Sequence, residues 1–381
     1  MKILYYSKPY FGDCDLPLIK ALRAKGHEVI VLFSMSPHSM KTNVFNIEKI
    51  YPDDGIFPID IYPELSSFAN YLSLDNIYVV NETTGRLGWS SFKLALKTIK
   101  FFRQTKCDVI NYVETPSLFH AFFLFLFRKK LILTIHDGKP HSGSYNLKGK
   151  LIRLLSKLYI KKYIVLNKAE VDVFSHEYSI SKDKIYTSHL GYYDMLHMYG
   201  NTQHPRGDYI LFFGRISKYK GIEFLLQAME EVHKVKPKLR VIIAGGGKYY
   251  FDTSKYLTKD YIEFRNYFIG LDELSNLIRG ALFTVCPYTD ATQSGVVYSS
   301  FALGTPVIGT NVGGLPEMID DGYTGVIVPP CSSTALKNAI LDLLDNPTKL
   351  NSFKENIKIS SSLGKGSWDL IAEEYIEIYK Q

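Results

Sequence analysis

Short apolar runs recur along this chain, and helix-like stretches separate them. Ile3 lies in the first run, and "EVIVLF", "DVINYV", "LILTIH" and "KYIVLN" follow, with stretches such as "DLPLIKALRAKG" in between. Consecutive apolar residues suit strands covered on both faces, and a helix between successive strands is the crossover that parallel pairing needs. The pattern stops at "MLHMYGNTQHPRGD", residues 195–208, where Gly200, Pro205 and Gly207 sit in polar sequence. It restarts with "YILFFG", "RVIIAGGG", "YIEFR", "LFTVCP", "PVIGT" and "GVIVP". The chain is therefore expected to fold as two α/β domains, residues 1–200 and 208–365, joined by a polar linker. A length of 381 residues suits two cores rather than one, and 46% hydrophobic residues can fill them. In the tail "SWDLIAEEYIEIYK", Trp368, Ile371, Tyr375 and Ile378 make one apolar helix face that must pack on something.

Several classes are disfavoured. Cys14, Cys107, Cys286 and Cys331 have no metal or redox spacing, which points to a reducing compartment and no disulfide framework. The opening "MKILYYSKPYFG" is too short an apolar run for a signal peptide. The run "LFHAFFLFLF", Leu118 to Phe127, falls well short of the ~20 residues of a membrane-spanning helix and reads as a core-facing helix. Net charge is +7 and uneven: 26 Lys/Arg against 18 Asp/Glu up to Gln203, then 19 against 20. An anionic partner for the first half follows, either a membrane surface or a phosphate-bearing substrate. Neither zinc spacing nor an aromatic RNA-binding signature accompanies the charge, so nucleic acid is not expected as a partner.

Four motifs carry chemistry. In "FFGRISKYKG", Gly214 ends a strand and Arg215 and Lys220 precede a helix opened by Gly221. Two cations beside glycines at a strand's carboxyl end suit a diphosphate, although a solvated loop explains the composition equally well. In "IIAGGG", Gly246 lies in a glycine run that permits a close turn, and a plain strand exit accounts for it as well. In "YTDATQSGVVYSSFALGTPVIGTNVGG", residues 288–314, a helix over Ser294 to Leu303 would present unpaired N–H groups to an anion. Gly295 would allow close approach, and Ser294 is read as a cap of that helix or a phosphate contact, roles that do not exclude each other. In "LTIHDGKPHSG", His136 and Asp137 stand at the end of a strand, where parallel sheets carry function.

Taken together, "GR....KG" at 214–221, "AGGG" at 244–247, "ALGTPVIGTNVGGLPE" at 302–317, "HD..PH.G" at 136–143 and "W...A..Y" at 368–375 resemble retaining glycosyltransferase family 4 over nearly the whole chain. The resemblance implies the α/β GT-B fold, two Rossmann-like parallel-sheet domains facing a central cleft. It also implies that the last helix, residues 366–381, packs back on the N-terminal domain. The implied activity is transfer of a sugar from a nucleotide diphosphate donor, with retention at the anomeric carbon. By position, Arg215 and Lys220 would hold the diphosphate and stabilise its leaving charge, so no metal or other cofactor is expected beyond a UDP- or GDP-sugar as substrate. Gly12 and Gly214 would allow close approach. The region near Tyr267, Phe268 and Ile269 would meet the base, largely through backbone groups, with Gly246 among the donor-binding residues, and His136 would meet the reacting sugar.

One departure from the family matters. Its usual pair of glutamates, seven residues apart, falls here on Ala291 and Ser299. The loop instead resembles a "QSGV" subset of polysaccharide glycosyltransferases. Gln293, Ser294, Gly295 and Val296 are then expected at the donor, with Asp290 as a nearby acid and Ser299 as a weak ribose contact. A neutral loop leaves more of the electrostatic work to Arg215, Lys220 and the helix end. A front-face reaction is expected, in which the departing phosphate helps deprotonate the acceptor.

The acceptor side is read from two basic, amphipathic stretches. "KLALKTIKFFRQTK" carries Lys93, Lys97, Lys100, Arg103 and Lys106; "KGKLIRLLSKLYIKK" carries Lys148, Lys150, Arg153, Lys157, Lys161 and Lys162. Either these are ordinary solvated faces or they meet an anionic membrane that carries a lipid-pyrophosphate acceptor. The expectation is a cytoplasmic enzyme of capsule or O-antigen type polysaccharide assembly, peripheral on the inner face of a membrane, acting on a glycan or a lipid-linked acceptor. A nucleotide-sugar 2-epimerase and a non-catalytic nucleotide-sugar-binding module remain as alternatives.

Overall fold

The computed structural model describes residues 1–42, 44–85, 87–136, 147–203 and 207–381. They form two units: Met1–Leu190 with Trp368–Gln381, and Gly191–Ser367.

The first unit is built on an eight-stranded sheet ordered β3-β4-β2-β1-β5-β6-β7-β8. Its strands are β1 (Lys2–Ser7), β2 (Glu28–Met35), β3 (Gly55–Pro58), β4 (Ile77–Asn81), β5 (Val109–Val113), β6 (Leu131–Ile135), β7 (Lys162–Val165) and β8 (Ile185–Thr187). All pairs are parallel except β3 with β4. The helices are α1 (Gly12–Ala24), α2 (Trp89–Thr105), α3 (Leu118–Leu124), α4 (Leu147–Ser156), α5 (Ala169–Tyr178) and, from the chain's end, α13 (Trp368–Lys380). The expected strands all form, each with a mostly buried apolar run. β3, β4 and β8 were not foreseen. β3 contains Gly55 and Pro58 and β4 follows a 3-10 segment instead of an α-helix, so neither shows the strand–helix alternation, while β8 follows α5 but has only three residues.

The tail helix finds its partner in this unit. α13 packs on α1 and buries Trp368, Ile371, Tyr375 and Ile378, the face read from the sequence. Lys25 pairs with Glu373 at 2.6 Å, and the Ser188 hydroxyl donates to Glu374 at 2.8 Å.

Two expectations hold only in part. The run "LFHAFFLFLF" faces the core on one side alone: α3 buries His120 and Leu124, with Phe123 and Phe127 packed on the core, while Phe122, Phe125 and Leu126 are exposed. A helix apolar all round can turn only one side inward when a single sheet face backs it. Arg153, read as part of a solvent-facing basic set, points inward. It is buried and pairs with Glu114 at 2.7 Å, because the charge on Glu114 lies within its reach. Lys148 and Lys150 of that set have side chains outside the described residues. On α2, by contrast, Lys93, Lys97, Lys100 and Arg103 are all exposed, as is Lys106 at its C-cap.

The second unit holds a six-stranded, fully parallel sheet ordered β11-β10-β9-β12-β13-β14. Its strands are β9 (Tyr209–Phe213), β10 (Arg240–Ala244), β11 (Ile262–Arg265), β12 (Thr284–Cys286), β13 (Val307–Thr310) and β14 (Gly325–Val328). Its helices are α6 (Ile222–Val235), α7 (Ser254–Leu257), α8 (Leu271–Gly280), α9 (Gly295–Ala302), α10 (Leu315–Met318), α11 (Ser333–Asp345) and α12 (Pro347–Leu363). The chain joins this unit at Gly191, earlier than the linker placed at 195–208. Tyr192, Tyr193, Met195 and Leu196 are buried in it, and Arg279 donates to the Tyr199 carbonyl at 2.7 Å. Pro205 of that stretch lies outside the described residues.

Strand order reverses between β1 and β5 in one sheet and between β9 and β12 in the other. Loops leave such a switch point in opposite directions, so a crevice opens at the strands' carboxyl ends. No helix among the described residues is long and apolar enough to cross a membrane.

Because Ile371 is fully buried between α13 and the rest of the first unit, Ile371→Ala is expected to cost about 2–5 kcal/mol. Urea denaturation followed through Trp368 emission reads it; an unchanged midpoint would show that α13 does not hold this unit together.

Candidate functional site

At the β9/β12 switch point the chain brings backbone against backbone. Gly214, with φ +116°, ends β9. A Cβ on Gly245 would lie 2.0 Å from the Gly214 carbonyl oxygen, and one on Gly247 would lie 2.6 Å from that of Ile216. Ile216 N donates to Gly246 O at 3.1 Å. The glycine run was read as a permissive turn, with Gly246 as its donor-binding member. The steric demand instead falls on its neighbours, since a Cβ on Gly246 would only touch Tyr267 at 3.5 Å. That contact sets the 267–269 segment beside Gly246, with Tyr267 and Phe268 exposed and Ile269 half-buried. The Tyr267 hydroxyl is held by Glu273 at 2.7 Å, whereas Phe268 is 70% exposed and offers a bare ring.

Lys220 occupies the other side of the crevice. It ends a 3-10 turn, and Gly221 follows at φ +62°. A Cβ there would come within 2.0 Å of the Pro287 carbonyl oxygen, so only glycine lets the β9 loop lie on the β12 loop. Thr289 N donates to Tyr219 O at 2.8 Å and closes the seam. The Lys220 ammonium is thereby pressed 3.7 Å over the Tyr288 ring and 5.1 Å from that of Tyr219. It is 7% exposed, and no carboxylate pairs with it among the described residues. Burial pushes its pKa down to about 8; the Cys286 thiol opposes this and Arg215 adds to it. Arg215 itself is exposed at the mouth.

Two helix starts are candidates to face an anion here, and only one is open to it. At α6, Ile222 N donates to the Tyr250 hydroxyl at 3.0 Å, and that hydroxyl is bonded to Glu223. At α9, Ser294 holds the N-cap position but no side chain caps the helix. Of the two roles read for Ser294, capping is therefore absent. Its hydroxyl shares a 3.0 Å hydrogen bond with Tyr288, the ring under Lys220. The Gln293 amide nitrogen is buried without a partner. Gly295 is exposed, and Val296 lies 3.4 Å from where a Gly214 Cβ would be. The start of α9, Gly214, Arg215 and Lys220 thus share one crevice. Asp290 is exposed in the loop before α9, and Ser299 is buried in the body of that helix.

His136 and Gly12 lie in the first unit. The His136 ring stacks on Phe11 at 4.0 Å, and the His136 backbone N–H donates to Glu114 Oε1 at 2.8 Å. Burial pushes its pKa down to about 4 against the opposing pull of Glu114, so the ring is neutral near pH 7. Asp137 lies outside the described residues. Gly12 opens α1, but the space a Cβ would take is filled by Phe45 at 2.6 Å and Val44 at 2.8 Å. A side chain at this position would therefore displace the ends of the Phe45 and Val44 side chains. Cys14, Asp15 and His136 have their ligand atoms within 4.8 Å of one another. Burial raises the Cys14 thiol and pushes Asp15 up to about 7, and the Tyr5 hydroxyl donates to Asp15 at 2.6 Å. Two of the three groups thus favour the protonated form, which is a poor start for a cation cage.

The β1/β5 switch point of this unit opens into a cavity of about 740 Å³, lined among others by Tyr6, Lys8, Tyr112, Glu114 and Arg153. Burial disfavours charge on Glu114, but Arg153 and then His136 outweigh it and hold the carboxyl below its ordinary value. Lys8 projects into the same space, its pKa lowered by burial. Glu114 and Lys8 were not read as site residues. They follow β5 and β1 in unremarkable sequence, and only the φ of +67° at Glu114 marks the place.

Residues 207–346 match the family model described as Glycosyl transferases group 1. The match covers most of the second unit, the part that carries Arg215, Lys220 and α9. An uncharacterized glycosyltransferase of Methanocaldococcus jannaschii is 30% identical over 180 residues, 46% of this chain and 49% of that protein. The chain spans about half the length of the first curated relatives it matches. Among solved structures, sucrose-phosphate synthase of Thermosynechococcus elongatus is similar at TM-score 0.65 and 18% identity, covering 100% of this chain and 98% of that one. Anabaena HepE, solved with UDP, is similar at TM-score 0.68 and 15% identity over 100% of both chains. At such identities the likeness is one of fold, and it agrees with two Rossmann-like parallel-sheet domains of the GT-B kind.

Burial holds the folded-state pKa of Lys220 at about 8, below the ordinary lysine value of 10.5. The unfolded chain binds more protons between those pH values, so this site's contribution to stability rises with pH across that window. Below it the buried charge costs about 3 kcal/mol. Lys220→Met is expected to melt above the parent at pH 7, with the gap closing as pH rises through the window. Inorganic pyrophosphate is expected to raise the melting temperature of the parent and not that of the variant. Scanning fluorimetry across pH reads both effects, and a gap independent of pH would show that Lys220 is not buried as a cation.

Proposed function

We propose that this protein is a retaining glycosyltransferase that moves a sugar from a nucleoside diphosphate donor to a glycan or lipid-linked acceptor, in capsule or O-antigen type polysaccharide assembly at the inner face of a membrane. One observation carries the reading. Lys220 is buried over Tyr288 with no carboxylate paired to it among the described residues, at a sheet's switch point and next to the uncapped start of α9. A buried ammonium without a counter-ion costs stability, and a bound diphosphate supplies that counter-ion. Arg215 at the mouth adds a two-pronged contact, and the buried Gln293 amide adds a neutral donor.

In the proposed reaction the bond from the sugar's anomeric carbon to the diphosphate oxygen breaks, and negative charge grows on that oxygen. Lys220, Arg215 and the α9 N–H groups stabilise this charge, so the step is assigned no metal and no resident cofactor. The acceptor oxygen bonds to the anomeric carbon on the face the diphosphate leaves, and its proton passes to the departing phosphate. Neither Ala291 nor Ser299 places a carboxylate beside the developing positive charge. The neutral His136 suits a hydrogen bond to a sugar hydroxyl, and its carbonyl is a further candidate contact. The base is assigned to the 267–269 segment with its exposed Phe268.

Arg215→Ala is expected to lower kcat by about 10²–10³, the usual effect of removing one contact to developing charge. Sugar transfer from UDP- and GDP-sugars, chosen by a thermal-shift screen, reads it. Full turnover in the variant would remove the diphosphate assignment. Epimerisation of UDP-GlcNAc without any acceptor would replace transfer with isomerisation, a route that needs acid/base carboxylates the 291–299 loop does not supply.

A further inference from the structure

The helix pair α3 and α4 is built inside out. On α4, Ile152, Arg153 and Ser156 are buried, while Leu151 and Leu155, four residues apart, face solvent; Leu158 just beyond is 79% exposed. On α3, His120 is buried and Phe122 is 78% exposed, and Phe125 and Leu126 are exposed in the turn that follows. The two elements touch: the Tyr159 hydroxyl donates to Ala121 O at 2.6 Å, and the Tyr159 ring meets Phe125 edge-on at 6.1 Å. An aromatic run continues from Phe119 and Phe123 through Phe92 to Trp89 at the start of α2, with centroids 5.3 to 5.9 Å apart. Trp89 is 68% exposed.

Scattered apolar side chains on a surface need no explanation, but a continuous set this large marks a contact. Charge says with what. Between Glu114 and Glu170 the sequence holds 11 Lys/Arg and a single acid, Asp137; between Glu82 and Asp108 it holds 6 and none. Two of these cations sit over the exposed rings, Arg128 at 4.6 Å from Phe125 and Lys93 at 5.6 Å from Trp89. A second copy of the same face would bring like charges together. Rings and leucines with cations beside them match the boundary between headgroups and acyl chains, where Trp is at home and Lys and Arg reach lipid phosphates.

We propose that the face made by the start of α2, α3, the turn at Phe125–Phe127 and α4 docks on an anionic lipid bilayer. The proposal deepens the function proposed above and rests on it for the acceptor. α3 and α4 also line the cavity, through Leu118, Phe119, Ile152 and Arg153, so docking sets that cavity against the lipid surface that delivers a lipid-linked acceptor.

The chain has two tryptophans, and Trp368 is buried, so a change in emission on membrane contact reports Trp89. Vesicles of phosphatidylcholine with phosphatidylglycerol are expected to shift that emission to the blue and to float the protein; pure phosphatidylcholine vesicles should do neither. Salt should weaken the binding, and Trp89→Phe should remove the shift. The double variant Phe122→Ser, Leu158→Ser should keep the parent's melting temperature and bind about ten-fold more weakly or less. No blue shift and no flotation with the parent would overturn the proposal, as would equal binding by the variant. A concentration-dependent dimer that the variant abolishes would assign the face to a second copy instead. Transfer from a nucleotide sugar to a water-soluble acceptor tests the function separately, so loss of one result does not carry the other.

Discussion

The second unit depends on a seam where backbone meets backbone. Gly221 lies where a Cβ would stand 2.0 Å from the Pro287 carbonyl, and Gly245 where one would stand at the same distance from that of Gly214. With no side chains between them, the loops leaving β9, β10 and β12 close into one rigid edge. That edge drives Lys220 into the rings of Tyr219 and Tyr288, leaves the start of α9 uncapped beside Gly214, and turns Arg215 outward. Glycine here is the means by which a cation is buried and an anion site is left unfilled.

The first unit uses its polar groups differently. Its buried cation is satisfied: Arg153 meets Glu114 and also reaches Thr115 and the Tyr178 hydroxyl. Breaking such a pair would strand a charge inside, which is why the helix that carries it is held in one orientation. That orientation turns Leu151 and Leu155 outward. An electrostatic demand inside the unit and an apolar face outside it are two sides of one helix.

Much of the fold was legible. The alternation of apolar runs and helical stretches found five strands of the first sheet and all six of the second, because strands buried on both faces must be apolar throughout. It missed β3, β4 and β8, which are short, lie at or toward the sheet edges or follow irregular segments, and carry too little signal of their own. The face of α13 was readable from Trp368, Ile371, Tyr375 and Ile378 because burial on one side imposes a helical period. The site was legible in part. Arg215, Lys220 and the glycine spacing were visible as a pattern, but of the roles read for Ser294 capping is absent, and its bond to Tyr288 was not foreseen. The packing of Phe45 and Val44 against Gly12 had no signal in the sequence. Arg153 was read as solvent-facing, since charge pattern along a helix does not say which side a partner such as Glu114 will claim.

The sequence by itself determined two α/β cores, the positions of their main strands and the residue types that gather at the ends of those strands, because periodicity and glycine placement are local properties of a chain. Tertiary structure decided which cation is buried and which is exposed, which helix start is capped, and that α3 and α4 turn their apolar sides outward. Each of those outcomes depends on the distance between groups far apart in sequence, and no local pattern encodes such distances.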